Sequence, residues 1–569
     1  MRKIVILAVV LLVVGAFFVQ RRLNVEIDPA AFLPTDTVVY TDQREGEARG
    51  QRFLASPLGK AITAIDLPAL ARDLDTPADV RADLEKKIGD CKDFINQNQK
   101  LLAELFGDHF VIAVLPRRDW MQEAGVVPDA RRQLIVFSKP RHGTTAIELL
   151  SSAYSGNLQT EIAPYGKYSL KRFRNDEISF VACAVNGWLL AAFEERTLRE
   201  SLDIFDAKKG SLAESENFRK ITADLAESEQ IVYLRLNGLA ELARDFLAGI
   251  PMADQVDQAA LAELFNVEAG LDGFAYGSQM RDSILEERML ISLVPDKASA
   301  AVRKILEATP AKDDILPHLS DSLLFYSYTN VTDWSTLGDL SAKNRAMVEN
   351  FSGHSLGELQ KILGDGASRL FVKKGEDGQT LPLPLVNFCV AAAVPETLDA
   401  TASSLLAKAG IDMTKGKFQD ATYQAWSGSK VPGKNLRLYS ALWRGHWCVG
   451  NSLDFFQEIV EPSPEAASLV AAKDFKAVDN GINEPAQSLM YIRVDQSLDL
   501  LRDACGWLAT FLALESKDLP SKANLVNERL IFPILEGAKM YKRSLNIGGI
   551  KDNMLKIDCR TSIAPAESK

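Results

Sequence analysis

The sequence predicts an α+β fold made of two tandem copies of one domain, with antiparallel sheets and packed helices, behind an N-terminal hydrophobic helix. Three observations predict it. Asn186-Gly187-Trp188 through Asp245 lies over Arg444-Gly445-His446 through Asp503 at a constant offset of 258 residues, without a gap. Phe218 then falls against Phe475, Tyr233-Leu234-Arg235 against Tyr491-Ile492-Arg493, and Arg244-Asp245 against Arg502-Asp503. Second, short strand-like runs joined by tight turns alternate with helical patterns, which points to hairpins rather than to a parallel sheet. Third, 569 residues exceed what one core usually holds. The expected division is a signal anchor or signal peptide at residues 1–27, a first repeat at 28–309, a second at 310–565 and a tail at 566–569. Ala308 to Asp314, with Thr309-Pro310 and three charged residues, is the expected boundary between halves.

In chain order, Met1-Arg2-Lys3 precedes an unbroken apolar run from Ile4 to Val19, closed by Gln20-Arg21-Arg22. Sixteen apolar residues rise about 24 Å as a helix, against a hydrocarbon core of roughly 30 Å. An uncleaved inner-membrane anchor through residues 4–19, with the body outside the cytoplasm, is the reading adopted. The alternative is cleavage near Val14-Gly15-Ala16 and a soluble periplasmic product. Phe32 to Tyr40 opens the first half and Ile315 to Tyr326 the second, each a Pro-marked turn entering a strand. Thr76 as N-cap and Pro77 as first residue start a long helix with Val80, Leu84, Ile88, Ile95, Leu102 and Leu105 as its stripe, ending at Gly107. Its counterpart starts with the capping box Ser355-Leu356-Gly357-Glu358 and ends at Gly364. Tyr168 to Arg174, Ile178 to Val185 and Trp188 to Phe193 are strands, the last two joined by Asn186-Gly187, a dipeptide suited to positive φ. Helices follow at Glu194 to Phe205 and Glu216 to Leu225. Strands carrying Tyr40, Tyr233, Tyr326 and Tyr491, and apolar runs ending at Pro140, Pro295, Pro395 and Pro565, suggest two related strand–helix–hairpin units inside each half. The offset changes in two divergent stretches, about Ala248 to Gly270 and Trp507 to Asn546.

Composition excludes some functions. Hydrophobic residues at 47% and charged residues at 25% belong to an ordinary folded protein rather than a disordered one. A formal charge of -11 argues against a nucleic-acid partner, which requires a basic face. Cys91, Cys183, Cys389, Cys448, Cys505 and Cys559 form no C-x-x-C, and none falls on another through the repeat. Buried thiols are therefore favoured, with one opportunistic bridge open.

No motif names a reaction, cofactor or metal. Gly428 to Asn435 has the glycines and lysine of a phosphate loop but Asn in place of the magnesium-binding hydroxyl, and Leu436 to Leu442 alternates like a strand where a helix is required. His109, His142, His318, His354 and His446 show no ligand spacing; His109 beside Asp108 is a base oriented by a carboxylate, or a polar turn. Asp73, Asp75 and Asp79 lack the Gly and Glu of a calcium loop and read as a solvated helix start. Tyr233 with Arg235, and Tyr491 with Arg493, share a strand face. They either bind a peptide or carboxylate, or pair with Arg244-Asp245 and Arg502-Asp503 in an internal network, and the internal reading is favoured.

Leu33-Pro34-Thr35-Asp36-Thr37-x-x-Tyr40, the Gly-Asp before an apolar strand, the Asn-Gly hairpin followed by Glu194-Glu195-x-x-Leu198, and Ser211-Leu212-Ala213 before Phe218 resemble exported bacterial proteins of unknown function with an LPADT-x-x-Y opening. In the second half Arg444-Gly445 and Ser452-Leu453 replace the Asn-Gly and Glu-Glu. The resemblance implies an envelope protein of repeated α+β domains and brings no catalytic residues. The expected function is that of a noncatalytic, membrane-tethered envelope protein that binds a protein partner or organises an assembly. The alternatives are a hydrolase acting on an envelope polymer, through carboxylates from distant segments, and a carrier of an apolar ligand such as lipid.

Overall fold

The computed structural model describes residues 27–116, 118, 130–140, 159–174, 179–248, 270–298, 300–332, 334, 342–375, 383–408, 412–427, 437–463, 467–479, 485–512 and 519–564. The apolar run at 4–19, the phosphate-loop candidate at 428–435 and His142 lie outside them. Among the described residues no helix is long and apolar enough to cross a membrane.

The fold is α+β with antiparallel pairing. The first repeat contributes β1 (Val39–Arg44), β2 (His109–Val114), β3 (Leu134–Lys139), β4 (Gln159–Tyr165), β5 (Tyr168–Arg174), β6 (Ser179–Val185), β7 (Trp188–Ala192), β8 (Gln230–Arg235), β9 (Leu271–Arg281) and β10 (Ile284–Leu293). The second contributes β11 (Leu323–Thr329), β12 (Ser368–Lys373), β13 (Leu385–Val390), β14 (Asp412–Phe418), β15 (Ala421–Ser427), β16 (Tyr439–Trp443), β17 (His446–Gly450), β18 (Ser488–Arg493), β19 (Tyr541–Lys551) and β20 (Met554–Ile563). One strand of each repeat thus answers one of the other, and β7 with β17 and β8 with β18 stand 258 residues apart.

The chain divides into two compact units, one of Met1–Arg49, Lys92–Val267 and Asp272–Ala275, the other of Gly50–Cys91, Glu268–Leu271 and Tyr276–Lys569. In the first, the strand order is β8-β1-β2-β3-β7-β6-β5-β4. In the second it is β10-β20-β19-β18-β11-β12-β13-β17-β16-β15-β14. The stretch from β18 to β14 repeats the order of the first unit strand for strand. Compactness does not follow the repeat boundary: Gly50–Cys91 and β10 belong to the first repeat in sequence and to the second unit in space. Nor is the linker loose, because Ala311 pairs with Ala486 and Asp313 is buried.

Tight turns fix the hairpins. Asn186 and Gly187 take φ of 48° and 84°, and Arg444 and Gly445 take 47° and 76° at the equivalent place. These are the left-handed values that a two-residue hairpin turn needs, so arginine performs the turn that Asn-Gly predicts. The equivalence is not gapless. Ser211 and Ser468 make matching bridges, to Pro34 and to Ser320, and they and the Phe218–Phe475 pair stand 257 residues apart. One residue is lost after β7 and regained before β8, where a loop absorbs it without disturbing strand register.

The long helix forms at Ala78–Phe106 and the capped one at Leu356–Leu363, where Ser355 and Glu358 satisfy each other's backbone. Val80 and Ile95 of the first are about half exposed, so its apolar stripe is only partly covered. Within the second unit the helices Pro57–Thr63 and Leu67–Asp73 pack on Phe532–Ala538 and Leu519–Val526. Asp73 pairs there with Arg529, and Asp75 with Lys522 at 3.6 Å, so these exposed carboxylates of the solvated helix start also make ionic contacts.

Of the cysteine expectations, the one bridge left open is made. Cys389 and Cys448 stand opposite each other on β13 and β17 and are joined in a disulfide. Cys183, Cys505 and Cys559 are free thiols. Cross-strand neighbours need no shared spacing motif, which is why the sequence pattern could not point to the pair.

Candidate functional site

Tyr233 and Tyr491 are core residues, each 2% exposed. Tyr233 meets the edge of Phe218 at 5.0 Å between centroids and Tyr491 packs on Phe475 at 5.2 Å. Tyr40 opposes Tyr233 across β1 and β8, and Tyr326 opposes Tyr491 across β11 and β18. In the second repeat the arginines make other contacts than the ionic network that the spacing suggested. Arg493 donates to the Asp321 carbonyl at 2.6 Å, and Arg502 reaches Glu536 at 3.5 Å and lies over the Phe532 ring. Asp503 faces solvent, while the side chains of Arg244 and Asp245 lie outside the described set. Arg235 and Arg493 each bury an Nε with no partner, the same atom in both repeats. Packing holds the first: the Arg235 guanidinium crowds Gly238, where an added Cβ would stand 2.7 Å from it. Tyr233 and Tyr491 thus belong to the core of the repeats, and not to an open surface.

Chemistry concentrates at a different place, the corner where the opening 3-10 turn of each repeat meets its first strands. In the first repeat His109 Nε2 lies 2.6 Å from Asp42 Oδ1. The oriented histidine is thus present, with Asp42 rather than the adjacent Asp108 as its carboxylate. Arg44 takes the other Asp42 oxygen at 3.3 Å, and the Trp188 ring closes one side of the imidazole at 4.8 Å. An ionised carboxylate only accepts, so Nε2 carries the proton and Nδ1 is the basic nitrogen. Asp42 is nearly buried and His109 keeps 18% of its side chain exposed.

In the second repeat the same corner holds a closed network. Arg369 donates through Nε to Asp313 at 3.0 Å, through Nη2 to Asp314 at 2.9 Å and through Nη1 to His446 Nε2 at 2.6 Å, and lies over the Tyr328 ring. Tyr326 donates to the second oxygen of Asp313, and the Ile315 amide donates to the first. Burial, and then Asp313, push the Tyr326 phenol well above its ordinary value, so it remains a donor. Guanidinium only donates, so His446 accepts at Nε2 and gives its Nδ1 proton to the Arg444 carbonyl, 3.0 Å away. Burial, and then Arg369, hold the His446 pKa below the ordinary 6.5. By strand register Tyr328 replaces Asp42, and by the repeat offset His446 replaces Trp188; the duplicated corner has exchanged its charges.

The turn at Leu33 to Tyr40 is likewise structural. Thr37 Oγ1 donates to the Pro34 carbonyl at 2.6 Å, while Arg118 bridges Asp36 at 2.8 Å and Glu200 at 2.5 Å. A cavity of about 630 Å³ in the second unit is lined by Asp296, Arg303, Glu307 and Asp552 beside Pro295, Leu306, Ile550 and Asn553. Its charged rim does not suit an apolar ligand. Among the described residues no group of three or more His, Cys, Asp or Glu side chains could hold a metal.

The second unit also exposes apolar surface on helices. Of the sixteen large apolar side chains exposed among the described residues, thirteen lie in this unit and ten on its helices: Phe53, Leu54, Ile62, Leu67 and Val80, then Leu501, Trp507, Leu508, Phe511 and Leu519. Trp507 and Phe511 stack at 5.4 Å between centroids on the helix Val494–Phe511.

No protein-family profile matches the chain, and no curated protein matches it. Among solved structures, crystal form III of TP0453 is similar at 9% identity with a TM-score of 0.25, covering 49% of this chain and 86% of that one. Crystal form IV of TP0453 is similar at 11% identity and the same TM-score, covering 48% of this chain and 84% of that one.

Proposed function

We propose that this chain is a noncatalytic envelope protein, tethered to the inner membrane through residues 4–19, that binds a protein partner. The observation that carries the reading is the set of ten exposed apolar side chains on the helices of the second unit. Exposed apolar groups that lie against one another, as Trp507 and Phe511 do, mark interaction sites. Aromatic anchors such as Trp507 and Phe511 are the side chains that dominate binding when a partner covers them. The Cys389–Cys448 disulfide supports a body outside the cytoplasm, since such bonds persist in oxidising compartments.

The test is a photoreactive residue at position 511 of the full-length protein in native membranes. One discrete protein adduct, lost when Leu508→Asp is added, is the expected result. Adducts with lipid alone overturn the partner reading. A second reading, hydrolysis of an envelope polymer, has His109 in its favour, because Asp42 orients it with Nδ1 as base. Polymer turnover by the purified protein that His109→Gln abolishes would establish that reading instead.

A further inference from the structure

The hairpins that end the two repeats match residue for residue. β9 and β10 are bounded at 271, 281, 284 and 293, β19 and β20 at 541, 551, 554 and 563, so equivalent residues stand 270 apart. Asp282 and Asp552 take the same left-handed φ, 54° and 53°, in the two turns. These equivalent strands then pair with each other: β10 runs antiparallel to β20 through nine residue pairs, from Ile284 with Ser562 to Ser292 with Met554. The middle pair is Arg288 with Asp558, which are themselves equivalent. A pseudo-twofold axis therefore passes through that pair, and the joint has the form of an isologous dimer interface contained in one chain.

An isologous interface accepts a like partner as readily as an unlike one unless the side chains distinguish them. Here they do. Arg288 Nε lies 2.5 Å from Asp558 Oδ1, and Arg560 Nη2 lies 2.9 Å from Glu286 Oε1. If β10 met β10 of a second copy in the same register, Arg288 would face Arg288 across the axis. If β20 met β20, Asp558 would face Asp558, and Lys556 would face Arg560 twice. Opposite charges directly across an antiparallel pair stabilise it and like charges destabilise it. We infer that β10 and β20 are a self-complementary interface in which Arg288 and Asp558 select the unlike hairpin of the same chain and reject the like hairpin of a second copy. Selection by repulsion is what a duplicated domain requires, since its two halves share one interface shape.

The test compares three full-length proteins refolded from denaturant, disulfide intact, at rising concentration, with mass read by light scattering. Arg288→Thr with Asp558→Thr removes the like-charge pair at the axis of each like pairing and leaves a cross-strand pair compatible with strands; Lys556 facing Arg560 still opposes β20 with β20, so a species of twice the wild-type mass, joined through β10 with β10, should appear and grow with concentration. Arg288→Asp with Asp558→Arg keeps the opposite charges and both repulsions, and should match the wild type. The same mass profile for all three overturns the inference, as does doubling in the exchanged variant equal to that in the threonine variant. Should the threonine variant fail to refold, the single inversions Arg288→Asp and Asp558→Arg decide. Each should lower the melting midpoint and the exchange should restore it; failure to restore overturns the role of the pair.

Discussion

At the residue scale, the most tightly determined group is the Arg369 guanidinium, which has only 5% of its side chain exposed and four partners. Removing the guanidinium leaves the buried Asp313 carboxylate without its counter-charge, though it keeps the Tyr326 and Ile315 donors, so Arg369→Met should cost about 3 kcal/mol, read as a lower denaturation midpoint. His446 gives the same corner a pH dependence. Its pKa is lowered in the folded protein, so the unfolded chain binds the proton first as pH falls. Stability is therefore at its plateau above about pH 6.5 and declines as pH drops from there toward the folded value. His446→Gln, which still presents an acceptor to Arg369, should flatten that part of a melting-temperature profile between pH 7 and 5. Neither network was legible in the sequence. Asp42 and His109 are 67 residues apart, and Asp313 and Arg369 are 56 apart, and only strand register brings them together. The available signal was a charged residue at an inward-facing strand position, Asp42 two residues after the buried Tyr40. By contrast the four tyrosines were legible, since a duplicated aromatic on each strand marks a duplicated core.

At the element scale, local chemistry fixed most boundaries. The Asn186-Gly187 turn, the Ser355 capping box and the Gly364 terminus each form where residue type demands them, because each depends on a few consecutive backbone groups. What adjacent residues cannot reveal is which strands become neighbours. The β13–β17 pair is such a case: it places Cys389 across from Cys448 after a separation of 59 residues. Closing a loop of that length removes entropy from the unfolded chain worth about 4 kcal/mol on the loop-closure model. Reduction should therefore lower the denaturation midpoint of the wild type. Cys389→Ala with Cys448→Ala should start near the reduced value and be insensitive to reductant, and a midpoint unchanged by reductant in the wild type would refute the contribution. The free Cys559 does not complicate this measurement through a second bridge, because it lies beside Ser544 and Thr561 with no cysteine partner.

At the scale of the whole molecule, one plan is used at two levels. The first and eighth strands pair within each repeat, Tyr40 opposite Tyr233 and Tyr326 opposite Tyr491, and last strands pair between repeats about Arg288–Asp558. Apolar faces that this plan requires are buried: Phe475 is fully enclosed against Tyr491. The helices of the second unit are not explained in that way. Trp507 at 39% exposure and Phe511 at 48% contribute little to an interior, yet they are large and stacked on each other. If they serve folding, replacing them should resemble a core truncation such as Phe475→Ala, which should cost about 3–5 kcal/mol. If they serve recognition, Trp507→Glu with Phe511→Glu should leave the unfolding transition within about 0.5 kcal/mol of wild type per site, as surface changes do. The same double substitution should abolish association with the partner, because a buried aromatic anchor typically contributes about 2 kcal/mol or more and a carboxylate in its place must be desolvated. Parallel unfolding curves and crosslinking at a neighbouring site, Leu508, separate the two cases: an unchanged midpoint with the adduct lost supports a docking face, whereas a midpoint lowered to that of Phe475→Ala assigns these side chains to the fold.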